Sequence, residues 1–154
     1  MAVVVWVAEG TWRACVDAAR TYAADAAEIV LLHIIGHDVP DAAHGAFAGL
    51  LGRADPGHDP GTRLERLAAE SGERLLSAAA DRLGRPCTRT ERTGRPEHEV
   101  VAAARDADLL ILGRDGDRSR PGPKTLSPPT RFVVDHAPCP VLLVWPRGIS
   151  GGAG

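Results

Sequence analysis

Two turn-like stretches carry the residue types best suited to holding a ligand. The first is Gly113-Arg114-Asp115-Gly116, which follows an apolar run and leads through a charged loop to Ser127-Pro128. Glycines let a backbone approach a ligand closely, and amides at a helix start point outward with partial positive charge, which suits phosphate. The second is Ala8-Glu9-Gly10-Thr11, directly after the first apolar run. Arg114, Arg118, Arg120 and Lys124 place cations on the loop between Gly113 and Ser127, partly offset by Asp115 and Asp117.

Other reactive residue types are present without a reactive pattern. His136 and Cys139 are close in sequence, but Pro138 and Pro140 explain that turn and no third group orients the pair. His37, His44 and His58 stand among Asp38, Asp41, Asp55 and Asp59 at spacings that match no metal template. Neither a Walker Gly-Lys-Thr nor an HxGH signature occurs, so the expectation is no catalytic residue and no metal site.

The elements that must position these residues follow from hydrophobic patterning. Val3–Val7, Ile29–Ile35, Leu109–Leu112 and Val141–Trp145 are continuous apolar runs, as expected of strands covered on both faces of a parallel sheet. A more polar run, Cys87–Arg92, suits an edge strand. Between them lie helical stripes. Cys15, Ala18, Ala19, Tyr22, Ala23 and Ala26 form one; Leu64, Leu67, Ala68, Ser71, Leu75, Ala78 and Ala79 form another, with Thr62 and Glu65 as a capping box. Pro96 opens a third helix that turns Val100, Val101 and Ala104 inward, and Ser127-Pro128 opens a fourth running to His136. Strands alternating with helices predict an α/β protein with a doubly wound parallel sheet. Ligands of such sheets bind at the carboxyl ends of the strands, where the strand order reverses. Gly36–Gly61 reads as a long insertion with a short helix at 42–51, and 147–154 as a disordered tail after a single domain at 1–146.

Composition narrows the function class. The chain has 154 residues and a net charge of −2, without the basic excess that general binding to nucleic acid or anionic membrane requires. Three cysteines without paired spacing, and no secretory pattern, predict a reduced cytoplasmic protein.

The segment Asp108-Leu-Leu-Ile-Leu-Gly-Arg-Asp-Gly116, with Arg131-Phe-Val-Val-Asp-His-Ala-Pro-Cys-Pro-Val-Leu-Leu-Val144 after it, resembles the C-terminal half of universal stress proteins. That family typically shows DLIVVGxxG, a loop, then VxxHAPCPVLVV. The first strand and turn, Leu31-Leu32-His33-Ile34 and Gly94-Arg-Pro96 also look like the family. The resemblance implies a five-stranded sheet in the order 3-2-1-4-5, an adenine nucleotide alpha hydrolase-like, Rossmann-like sandwich. It further implies a stress-response module that is not an enzyme and holds an adenine nucleotide, ATP or AMP with magnesium, between strands 1 and 4. The residues it places there are Ala8, Glu9, Gly10, Ile35, Gly113, Arg114, Gly116, Ser127 and Thr130.

The chain departs from the family pattern in two places. Ala8, followed by Glu9, stands where nucleotide-binding members carry a first-strand aspartate, and Leu126-Ser127 or Ser127-Pro128 stands for their Gly-Ser or Gly-Thr. A nucleotide-free interaction module of the same fold therefore stays open as the alternative. In the implied strand order Val141–Trp145 lies at an apolar edge, so a homodimer joined there is expected.

Overall fold

The computed structural model describes residues 1–36, 60–116, 118–119 and 125–146. The expected helix at 42–51, the three histidines of the insertion, Arg120, Lys124 and the tail lie outside the described residues. The elements run β1 (Ala2–Trp6), α1 (Trp12–Tyr22), β2 (Glu28–Gly36), α2 (Pro60–Leu83), β3 (Thr88–Gly94), α3 (Pro96–Ala103), β4 (Leu109–Gly113), α4 (Pro128–His136) and β5 (Val141–Val144). The five strands form one parallel sheet in the order β3-β2-β1-β4-β5.

The continuous apolar runs have a direct structural cause. Successive strand residues point to opposite faces, and both faces are covered by helices. Val3, Val5, Ile29, Leu31 and Ile111 pack beneath α1 and α2 with Cys15, Val16, Leu75, Leu76 and Ala79. Val4, Leu32, Leu110 and Leu112 pack on the other face with Val100 of α3, Ala104 just beyond it and Val133 of α4. Registers Val4↔Val30 and Val4↔Leu110 hold β1 at the centre.

Side-chain contacts tie the first layer together. Arg82 donates twice to the Asp17 carboxylate, at 2.9 and 2.8 Å, linking α2 to α1. Arg85 donates to the carbonyls of Ala23, Ala24 and Ala26, closing the turn beyond α1.

Several expectations require correction. Helix α2 begins at Pro60, so Thr62 and Glu65 lie inside its first turns and do not cap it. Tyr22 is 67% exposed because α1 ends there, and the turn that follows buries Ala23 and Ala26. In α2 the sheet-facing residues are Gly72, Leu75, Leu76, Ala79 and Leu83, whereas Leu67 is 55% exposed and Ser71 and Ala78 are exposed. The first half of this helix faces a hollow, not the sheet. β3 is displaced to Thr88–Gly94, and β5 stops at Val144, leaving Trp145 just beyond the sheet.

Candidate functional site

β1 and β4 are hydrogen-bonded neighbours, with Val3↔Leu109, Val4↔Leu110 and Val5↔Ile111 in register. β1 then connects to β2 on one side, while β4 connects to β5 on the other, so strand order reverses between them. Beyond β1 the Val7 amide donates to the Leu32 carbonyl (2.7 Å), and the turn closes with Trp12 N–H donating to Ala8 O (3.0 Å). Gly10 holds a φ of +83°, a conformation that favours glycine. This turn lies directly on β4. A Cβ built on Gly113 would collide with the Thr11 Cβ and stand 2.9 Å from its Oγ1. Glycine at 113 is thus required by packing, whatever ligand is present.

Between these tips is a cavity of about 220 Å³, lined by Trp6, Ala8, Glu9, Gly113, Ser127 and Thr130 among others. Trp6 is only half-buried; it lines the hollow and packs against the core beneath α3 and α4. The volume is below the ~300–1,000 Å³ usual for small-molecule pockets. A second cavity of about 750 Å³ opens beside it and shares Glu9, Pro96 and Pro129. Its floor is His33–Gly36 at the end of β2, its wall Leu64, Leu67, Ala68 and Leu75 of α2, and its rim Gly94–Glu97. The His33 Nδ1–H donates to the Val7 carbonyl at 2.8 Å, which leaves Nε2 as its acceptor.

At the start of α4 the backbone donors are already engaged. Ser127 N–H donates to Asp115 Oδ2 at 2.7 Å. Pro128 and Pro129 have no N–H. Thr130 N–H donates to the Ser127 hydroxyl (3.4 Å), which itself donates to Thr130 Oγ1 (2.9 Å), and Arg131 N–H donates to Ser127 O. Arg114 turns away from this end, its guanidinium 4.5 Å from the centre of the Trp145 ring. Gly116, next to Asp115, holds a φ of +93°, a conformation that favours glycine.

Among the expected site residues, the structure brings Ala8, Glu9, Gly113, Ser127 and Thr130 to the smaller cavity and Ile35 to the larger. Gly10 and Gly116 shape the two turns, and Arg114 covers Trp145. Asp115, His33 and the α2 wall complete the site and were not among the expected residues. Their one signal was Leu64, Leu67 and Ala68, apolar at helical spacing ahead of the buried stretch of α2. His136, by contrast, is occupied: its Nδ1–H donates to Phe132 O (2.8 Å) and its ring stacks on Phe132 (4.1 Å). Burial, and next the charge of Asp108, raise the pKa of the Cys139 thiol. Among the described residues no group of three or more His, Cys, Asp or Glu is arranged to hold a metal ion, and no helix is long and apolar enough to cross a membrane.

A doubly wound parallel sheet in the order 3-2-1-4-5, with paired cavities at the carboxyl ends of its strands, defines a Rossmann-like α/β fold. The sequence profile of the universal stress protein family matches residues 3–144. The chain belongs to the universal stress protein family. Solved structures share the fold. A universal stress protein in complex with cAMP is 19% identical over 95% of this chain and 97% of its own, with a TM-score of 0.60. UspA from Lactobacillus plantarum is 22% identical over 94% and 97%, with a TM-score of 0.58. A universal stress protein from Archaeoglobus fulgidus is 18% identical over 94% and 98%, with a TM-score of 0.56. No curated protein sequence matches the chain significantly.

Proposed function

We propose that this protein is a non-enzymatic stress-response module of the cytoplasm that binds an adenine nucleotide at the reversal point between β1 and β4. The observation carrying this reading is the pair of adjacent cavities at the strand ends, which share Glu9, Pro96 and Pro129 in their walls. The smaller hollow is too tight for a whole nucleotide; the larger, at about 750 Å³ and mostly apolar, has room for a base and ribose. His33 Nε2 is an acceptor suited to an exocyclic amine, and Arg95 on the rim is a cation suited to one phosphate. The cAMP complex of a relative supports the same ligand class.

Titration calorimetry with AMP, cAMP and ATP, each with and without magnesium, tests the proposal. Binding of at least one is expected, and Ala68→Trp, which fills the α2 wall, is expected to weaken it by about tenfold or more. Absence of heat and of thermal shift with every one of these at millimolar concentration would leave the alternative, a nucleotide-free interaction module. That alternative is favoured by one observation, the engagement of every helix-start amide.

The proposed module is a dimer. All four residues of β5, Val141–Val144, are half-buried and apolar, and their strand has a neighbour on one side only. An unpaired apolar edge invites strand pairing with a second copy. Equilibrium sedimentation is expected to give twice the 16.2 kDa chain mass; a single-chain mass throughout the micromolar range would refute it.

A further inference from the structure

The phosphate end of the candidate site holds an anion that belongs to the protein. Asp115 Oδ2 accepts the Ser127 amide at 2.7 Å, the contact a ligand phosphate oxygen would make at a helix start. The Asp115 backbone is tied to the same neighbourhood, its N–H donating to Thr125 O at 2.8 Å, two residues before Ser127. No other helix-start amide is left to take its place, since two positions are proline and the next two amides bond to Ser127.

The charges lining the cavities point the same way. Among the described residues, Glu9 and Asp115 line the smaller cavity, and Glu9, Arg95 and Glu97 the larger, so carboxylates outnumber cations there. The Arg114 guanidinium, the cation nearest Asp115 in sequence, is stacked on Trp145.

We infer that Asp115 is a tethered stand-in for a ligand phosphate, so that the paired cavities select adenine ligands of low charge, a nucleoside or a cyclic monophosphate, against polyphosphates. The inference rests on the adenine reading above and adds the charge class of the ligand. A triphosphate reaching the start of α4 must displace the Asp115 carboxylate from the Ser127 amide and then lie beside it. Like charges a few ångströms apart at a protein surface disfavour such a complex by roughly tenfold to a thousandfold. A cyclic monophosphate carries one negative charge and has Arg95 to meet it; adenosine carries none.

The experiment compares dissociation constants of adenosine, cAMP and magnesium ATP for the wild-type chain, Asp115→Asn and Asp115→Ala. Asp115 is exposed, so both variants are expected to keep the fold, which thermal melting checks. Wild type is expected to bind adenosine and cAMP at least about tenfold more tightly than ATP. Asp115→Asn keeps an acceptor for Ser127 but removes the charge, and Asp115→Ala removes both; each is expected to close most of that gap. Equal or tighter binding of ATP by wild type overturns the inference and leaves the adenine reading standing. A preference for adenosine that both variants retain unchanged also overturns it. If none of the three ligands binds wild type or either variant, the adenine reading falls and this inference falls with it.

Discussion

Replacing Gly113 with alanine is expected to destabilise the protein by about 1–3 kcal/mol, and valine by more, because the end of β4 has no room for a Cβ. The obstruction is Thr11: its Cβ meets the added carbon, with Cγ2 at 2.7 Å and Oγ1 at 2.9 Å. A Cβ moves only with its backbone, so relief requires shifting either the turn after β1 or the end of β4. Both are held. Arg114 N–H donates to Val144 O at 2.8 Å, and Cys15 N–H to Thr11 O at 3.1 Å. Chemical denaturation of Gly113→Ala, Thr11→Gly and the double variant gives the test. Thr11→Gly alone weakens the entry to α1, but in the Gly113→Ala background it removes the collision, so a favourable coupling of about 1 kcal/mol or more is expected. Free energies that simply add would show that the two sites do not press on each other. Ligand affinity is expected to fall in Gly113→Ala as well, because Thr11 and Gly113 both line the smaller cavity.

Most of the fold was legible because its physical causes are local. Strands covered on both faces are apolar along most of their length, and β1, β2 (His33 and the exposed Glu28 apart), β4 and β5 read that way without regard to their partners. Pro96, and Ser127 with Pro128, mark helix starts by chemistry confined to a few residues, and both stand where expected. The misreadings arise where local pattern and tertiary surroundings part. Thr62 and Glu65 have the spacing of a capping box, yet the helix continues past them to Pro60. Leu64, Leu67 and Ala68 carry the same periodicity whether they face a sheet or a hollow, so the sequence showed a stripe while the structure shows a cavity wall.

The site divides along the same line. That Ala8, Glu9, Gly113 and Ser127 converge follows from topology, because parallel strands with right-handed crossovers put all the relevant turns at one end of the sheet. What their side chains do there depends on partners distant in sequence. Arg114 was expected at the nucleotide from its charge and from the family resemblance, but Trp145, brought alongside by β5, offers it an aromatic face. Asp115 counted as a partial offset to the neighbouring cations; its bond to Ser127 makes it instead the residue on which the ligand's charge turns.

The second large effect expected is an alkaline loss of stability centred on Cys15. This thiol has no solvent exposure, and burial pushes its pKa from 9.0 up to about 12, with a hydrogen bond to Thr11 acting in the opposite sense. In the unfolded chain the thiol ionises above pH 9, whereas the folded protein keeps its proton. Stability is therefore complete below pH 9 and falls as pH rises towards 12, with a limiting slope of about 1.4 kcal/mol per pH unit. Across that window the loss amounts to about 4 kcal/mol, enough to unfold a domain of ordinary stability. Other groups titrate in the same range, so the measured quantity is the difference between wild type and Cys15→Ala in denaturation midpoints from pH 8 to 11. The gap between them is expected to shrink as pH rises, since alanine has nothing to ionise; a constant gap would refute the prediction. Alkylation is an independent check. Cys87 and Cys139, half-buried, are expected to react with iodoacetamide in the folded protein, and Cys15 only as fast as the chain unfolds. Ligand binding is therefore expected to be lost with the fold and not before it, since the folded protein keeps this proton until about pH 12.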